Sequence, residues 1–202
     1  MKKQLSIAIA VIAITAGSLP VPAAHASAKP TLAQLLTADS KDDDAQGFDR
    51  NWSDYDIATQ LVLLFPDLVA AASDPTLTLT VFVPTDTAFR TIVADVGGTK
   101  YSKEKDVFAA VKSIGLSRLK DAIMYHILGV KMTASALKAG ANTPLTTALG
   151  LPIKIVKGSD GRLRVDDLDP DATNAVITKP DLKVASNGII HGIDRVLRPI
   201  DL

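Results

Sequence analysis

Histidine and carboxylate side chains are the groups in this chain that could move a proton or hold a metal ion, and their spacing limits what they can do. Two histidines lie beyond residue 28, His126 and His191, and neither belongs to a His-x-x-x-His interval that would place two ligands on one helix face. Asp86 stands in TVFVPTDTAF, residues 80–89. A carboxylate there could act as a general acid or base only with a second titrating group held beside it. The enzymatic or small-ligand reading therefore requires Asp86, His126 and His191 to meet in one cleft, as in a hydrolase-like site. No cysteine, Gly-x-Ser-x-Gly elbow, phosphate loop or dinucleotide fingerprint supplies another nucleophile or cofactor cradle. Asp167, Asp169 and Asp171 alternate as in a calcium loop. Ala172 stands where such a loop turns on glycine, however, and Thr178 where a bidentate glutamate closes it, so a solvated acidic loop is expected. No catalytic residue, metal or cofactor is expected.

Phe48, Trp52 and Tyr55 are concentrated in a chain with few other aromatics. They offer either a sugar-stacking platform or, as expected here, a set of pins that hold a polar loop onto the domain.

The elements that must position these groups begin after a leader. Lys2 and Lys3, the apolar run from Leu5 to Ala16 and the small residues around Ala26 and Ala28 read as a cleaved signal peptide, residues 1–28. The run is shorter than the roughly 20 residues that span a bilayer, so no stable transmembrane segment is expected after cleavage. Loss of the two lysines leaves 20 basic against 22 acidic residues, about minus two, which speaks against a nucleic-acid partner. Without cysteine, an exported chain of this size must rely on its core.

Residues 29–55 read as a short helix followed by a polar, Asp-rich, exposed loop, and residues 56–202 as the main domain. A core-facing stripe of Ile57, Leu61, Leu64, Phe65 and Leu68 predicts a helix capped by Asp56 and divided at Pro66. Leu77 to Val83 alternates as a strand, and Thr85 or Asp86 then caps a helix. Two more helical patterns precede a hairpin around Gly158 to Gly161. A second hairpin is predicted at Asn187-Gly188, with positive φ at both turn residues. Helices first and strands later predict an α+β domain with an antiparallel sheet.

Three segments, TVFVPTDTAF, LKDAIMYHILG and SNGIIHGIDRVLRP, resemble in order and spacing the signatures of the fasciclin (FAS1) domain family. The resemblance covers roughly Asp56 to Pro199. It implies a wedge-shaped antiparallel β-sandwich with helices along one side, in a secreted bacterial single-domain protein that is extracellular or loosely associated with the cell surface. It also implies adhesion to an extracellular protein or polysaccharide, without catalysis. In the family Tyr125 and His126 are linked to cell binding, although the residue types themselves, a tyrosine and a histidine at a helix end, favour core packing over direct contact with a partner. Asp181 and Leu182 occupy about the place of a short integrin-binding segment in some animal relatives. Thr85, Asp86, Asn187, Gly188 and His191 fall in the signatures as structural positions.

Overall fold

The computed structural model describes residues 29–38 and 47–199. The expected signal peptide and the Asp42 to Asp44 run lie outside the described residues. In chain order the elements are α1 (Leu32–Thr37), α2 (Asp56–Leu63), α3 (Pro66–Ser73), β1 (Leu79–Pro84), α4 (Asp86–Gly97), α5 (Glu104–Lys112) and α6 (Leu116–Tyr125). They continue through β2 (Ile127–Leu128), α7 (Ala134–Ala139), β3 (Pro144–Thr146), β4 (Pro152–Lys157), β5 (Leu163–Asp166), β6 (Ala175–Val184) and β7 (Gly188–Ile193). This is the α+β segregation that the sequence predicts.

Pro66 takes the first position of α3, where its missing N–H costs nothing, and turns the chain by 108° from α2. Thr31 and Gln34 close a capping box on α1, each side chain accepting from the other's backbone N–H.

The seven strands are ordered β2-β1-β7-β6-β5-β4-β3, and a bridge from Leu128 to Thr147 brings the two ends of that order together. The expectation of a wholly antiparallel sheet needs one correction. β1 and β7 run parallel, from Leu79 opposite Gly188 to Pro84 opposite Ile193. No βαβ repeat announces this pair, because nearly the whole domain forms the crossover between its strands. β7 is buried along its full length, which explains why Gly-Ile-Ile-His-Gly-Ile shows no alternation with exposed polar residues. Alternation divides the interior into two cores. Val83 and Ile190 face α1, α2, α4 and α5, whereas Phe82 and Ile193 face Tyr125, Leu137, Ile155 and Val165 on the other side.

The turn between β6 and β7 also differs from expectation. Ala185 donates its N–H to Gly188 O and Val184 lies opposite Ile189, so the loop residues are Ser186 and Asn187. None of Ser186, Asn187 and Gly188 has positive φ. Asn187 is recruited elsewhere. Its Oδ1 accepts from Leu32 N at 2.9 Å, and its Nδ2 donates to Ala72 O and Asp74 O, both at 2.9 Å. Gly188 is required for space, since a Cβ there would lie 2.6 Å from Leu79 O and 2.7 Å from Leu32 Cδ1.

Candidate functional site

The corner between β1 and α4 is built by reciprocal capping. Thr85 is the N-cap of α4, its Oγ1 accepting from Ala88 N at 3.3 Å. The next two amides of that helix donate to the preceding loop, Asp86 N to Asp54 O at 3.1 Å and Thr87 N to Trp52 O at 2.9 Å. In return Asp86 Oδ1 accepts from Ile57 N at 3.0 Å, so the carboxylate of one helix caps another. Asp86 is thus not the cap of its own helix, and Asp56, expected to cap α2, is instead that helix's first residue.

Three helix N-termini meet here, and each opens with an acid: Asp56 on α2, Asp86 on α4 and Glu104 on α5. All three are buried, and one carboxylate oxygen from each lies within 4.8 Å of the others. Asp56 belongs to a second such trio with Asp49 and Asp54, which are exposed and half-buried respectively. The carboxyls of Asp54 and Asp86 face each other within hydrogen-bonding reach. Burial, and then the neighbouring acid, pushes Asp86 far above the usual carboxylate range, and burial also raises Asp54. Arg50 N donates to Glu104 Oε2 at 3.0 Å and fixes that side chain.

The histidines lie apart from this corner. His126 ends α6 with Nδ1 bonded to Ala122 O at 2.8 Å and Nε2 accepting from Leu197 N at 2.9 Å, which fixes the neutral Nδ1–H tautomer. Burial lowers its pKa to about 4. His191 on β7 accepts at Nδ1 from Asp181 N, donates at Nε2 to Met132 O, and stacks on Phe82. Burial lowers its pKa as well. Both rings are therefore saturated within the fold. Asp86, His126 and His191 have separate sets of partners, with none shared, and none of the three lines either of two small cavities of about 20 and 10 Å³.

A family model for the fasciclin domain matches residues 57–199. The chain belongs to the fasciclin family. Protein sll1483 of Synechocystis sp. is 29% identical in an alignment 152 positions long that covers 64% of this chain and 77% of that protein. The FAS1 domain pair from the insect cell adhesion molecule Fasciclin I superposes with a TM-score of 0.58 at 19% identity, covering 85% of this chain. This chain spans about half of that pair, 51% of its length. The resemblance read from the three signatures is thereby established, and the FAS1-like fold with it.

Within this fasciclin fold the remaining candidates take definite places. Tyr125 is fully buried and donates its hydroxyl proton to Pro152 O at 3.0 Å, and His126 is only 6% exposed, so both act in the core and neither side chain presents a contact surface. Asp181 is exposed with φ 49°, and its Oδ1 accepts from Ala134 N at 2.9 Å, while Leu182 is half-buried against the helix-side core.

The Asp166 to Asp171 loop keeps Leu168, Pro170 and Asp171 exposed but buries Asp169 and ties its carboxylates down. Asp167 Oδ2 accepts from Arg198 N and Asp169 Oδ2 from Arg198 Nη1, both at 2.8 Å, while Asp169 Oδ1 accepts from the amides of Asp171 and Ala172. The Arg198 guanidinium thus pairs with Asp169, and the Arg198 backbone with Asp167. The aromatics pin the loop as expected. Phe48 and Tyr55 enter the core, Phe48 packs against Phe108, and Arg90 covers the Trp52 ring at 4.3 Å. That covering, with the burial of the other two, leaves no sugar-stacking platform and makes residues 47–55 a packed segment.

Sequence reasoning missed Asp49, Asp54, Asp56 and Glu104 as neighbours of Asp86. Their available signal was an acid at the first position of three helices, which the helix dipole explains one helix at a time. Only the tertiary fold shows that the three ends converge.

Proposed function

We propose that this fasciclin domain is an exported, non-catalytic interaction module that binds an extracellular protein or polysaccharide. The observation that carries the reading is the internal saturation of its reactive groups. Tyr125, His126 and His191 each spend their polar atoms on backbone partners inside the fold, and none lines either of the two small cavities. Such groups stabilise a scaffold, and a scaffold acts through its surface. The contact proposed on that surface is the exposed Asp181 with its neighbour Leu182. Among the described residues no single helix is long and apolar enough to cross a membrane. The bent pair α2 and α3 supplies Ile57, Ala58 and Leu61 to the core.

The test is retention of the purified protein on cell-wall and matrix fractions, with parallel samples treated with protease or periodate. Retention lost after one treatment names the partner class, and Asp181→Ala is expected to weaken it. No retention on any fraction overturns the proposal.

A further inference from the structure

Residues 112–118, Lys-Ser-Ile-Gly-Leu-Ser-Arg, join α5 to α6 and are exposed at every position. Ile114 is 50% and Leu116 53% exposed. Aliphatic residues scattered singly are ordinary on a protein surface, but these two stand on either side of one glycine in a single turn. Their exposure is built in. Val111 and Leu119, immediately outside the segment, are buried in the helix-side core. Between them the backbone is pinned, with Ile114 N donating to Val111 O at 3.3 Å, Gly115 N to Lys112 O at 3.2 Å and Leu119 N to Gly115 O at 3.1 Å. Gly115 redirects the chain with φ 98°, and a Cβ built on it meets nothing within 4 Å. Leu116 continues the helical spacing of Leu119 and Ile123 along α6 but lies past the edge of the core that those two enter. Neither aliphatic side chain can turn inward without withdrawing a core residue.

Cations flank the apolar pair on both sides. Lys112 ends α5, and Arg118 lies in the first turn of α6, which carries no acid. Among the described residues no carboxylate pairs with either cation. Residues 107–120 contain no acid at all, and the remaining cation of that stretch, Lys120, is spent on Asp67 at 2.7 Å. A soluble polyanion would satisfy Lys112 and Arg118 and leave Ile114 and Leu116 in water, and an apolar protein groove would do the reverse. A surface that is anionic on its face and hydrocarbon beneath satisfies both.

We propose that this turn is a membrane-contact tip, which inserts Ile114 and Leu116 into the boundary of an anionic lipid bilayer while Lys112 and Arg118 stay at the level of the phosphates. Long cationic side chains suit that layering, because their stems follow the apolar groups downward and their charged heads remain in the headgroup region. Two aliphatic groups and two cations give a reversible attachment that salt weakens, and no spanning segment is needed for it. The contact is separate from the one proposed at Asp181 and Leu182 and does not depend on it.

The experiment is sedimentation with lipid vesicles of the mature chain, residues 29–202, which holds every described residue and lacks the apolar run from Leu5 to Ala16 that would bind lipid by itself. Vesicles of phosphatidylcholine are compared with vesicles in which about 30% of it is replaced by phosphatidylglycerol, at about 0.05 and 0.5 M sodium chloride. The protein is expected to pellet with the anionic vesicles at low salt and to be released at high salt. Two double variants, Ile114→Ser with Leu116→Ser and Lys112→Gln with Arg118→Gln, are each expected to bind the anionic vesicles more weakly by roughly tenfold or more. Their melting temperatures should match the wild type, because all four side chains are exposed. Wild-type protein left in the supernatant overturns the proposal, and so does equal binding to neutral vesicles. Pelleting unaffected by both variants overturns it by placing the contact elsewhere. A loss confined to the cation variant, on vesicles and on immobilised heparin alike, overturns it too and makes the turn a site for an anionic polysaccharide.

Discussion

His126 shows how a side chain with an obvious chemical use is consumed by structure. Its Nε2 serves the backbone N–H of Leu197, a residue 71 positions away, and that bond exists only while the ring is neutral at that nitrogen. Protonation must break it inside a dry interior. Burial lowers the folded pKa from 6.5 to about 4, so between these values the unfolded chain binds the proton and the folded chain does not. Stability from this group is complete above about pH 6.5 and is lost as pH falls, by about 3 kcal/mol once pH 4 is passed. His191, lowered in the same direction, adds to the loss. Asp54 and Asp86 work with the opposite sign, because their raised pKa values favour the fold at low pH. The contribution of His126 is therefore read as a difference. Urea unfolding of wild type and His126→Gln between pH 7 and pH 4 is expected to show a flatter acid limb for the variant, and coincident slopes would mean that His126 titrates normally in the fold.

Turns and helix ends separate what local sequence encodes from what tertiary structure imposes. Gly161 follows the local rule, with φ +80° and open space around a built Cβ. Gly188 has ordinary φ and no room. Gly161→Ala is expected to cost about 1 to 2 kcal/mol of left-handed strain. Gly188→Ala forces a methyl against Leu79 O and Leu32, and is expected to cost about 1 to 3 kcal/mol as overpacking, with the damage reaching α1. Thermal melts distinguish the two, since relief of the Gly188→Ala defect by Leu32→Val would follow only from a steric cause. The same contrast explains what was legible beforehand. The division at Pro66, the hairpin at Gly158 to Gly161 and the N-cap at Thr85 depend on groups within a few residues and were readable. The turn at Asn187 was misplaced by one residue because its side chain answers Leu32, Ala72 and Asp74, which lie more than a hundred positions upstream. The acid cluster was hidden for the same reason.

At the scale of the whole molecule, the segment before Asp56 is part of the domain, although the family match begins only at residue 57. Leu32 is 1% exposed and shares a core with Ile57, Phe89 and Ile190, and Phe48 and Tyr55 join it. Pro30 O accepts from Ser186 N, which ties the entry of α1 to the last hairpin. Leu32→Ala is expected to cost about 2 to 5 kcal/mol in denaturant unfolding, the range for a buried leucine, whereas an appended helix would lose almost nothing. The parallel pairing of β1 with β7 has a kinetic counterpart. Neither core is complete until the final strand arrives, and contacts of such long sequence separation make folding slow.

The clip made by Asn187 also sets how the protein ages. An asparagine followed by glycine is chemically fragile, because the glycine amide nitrogen can attack the side-chain carbonyl and expel ammonia to give a cyclic succinimide, which water then opens to aspartate or its isomer. In the folded chain Oδ1 and Nδ2 are held by three hydrogen bonds, and the backbone around Gly188 is locked in a sheet, so the attacking geometry is denied. Each excursion to the unfolded state releases it. Once deamidated, the side chain carries an anionic oxygen where the nitrogen donated to two carbonyls, and the clip cannot close again. The useful lifetime of this protein is therefore set by the fraction of time it spends unfolded, and whatever stabilises the fold also slows its chemical clock.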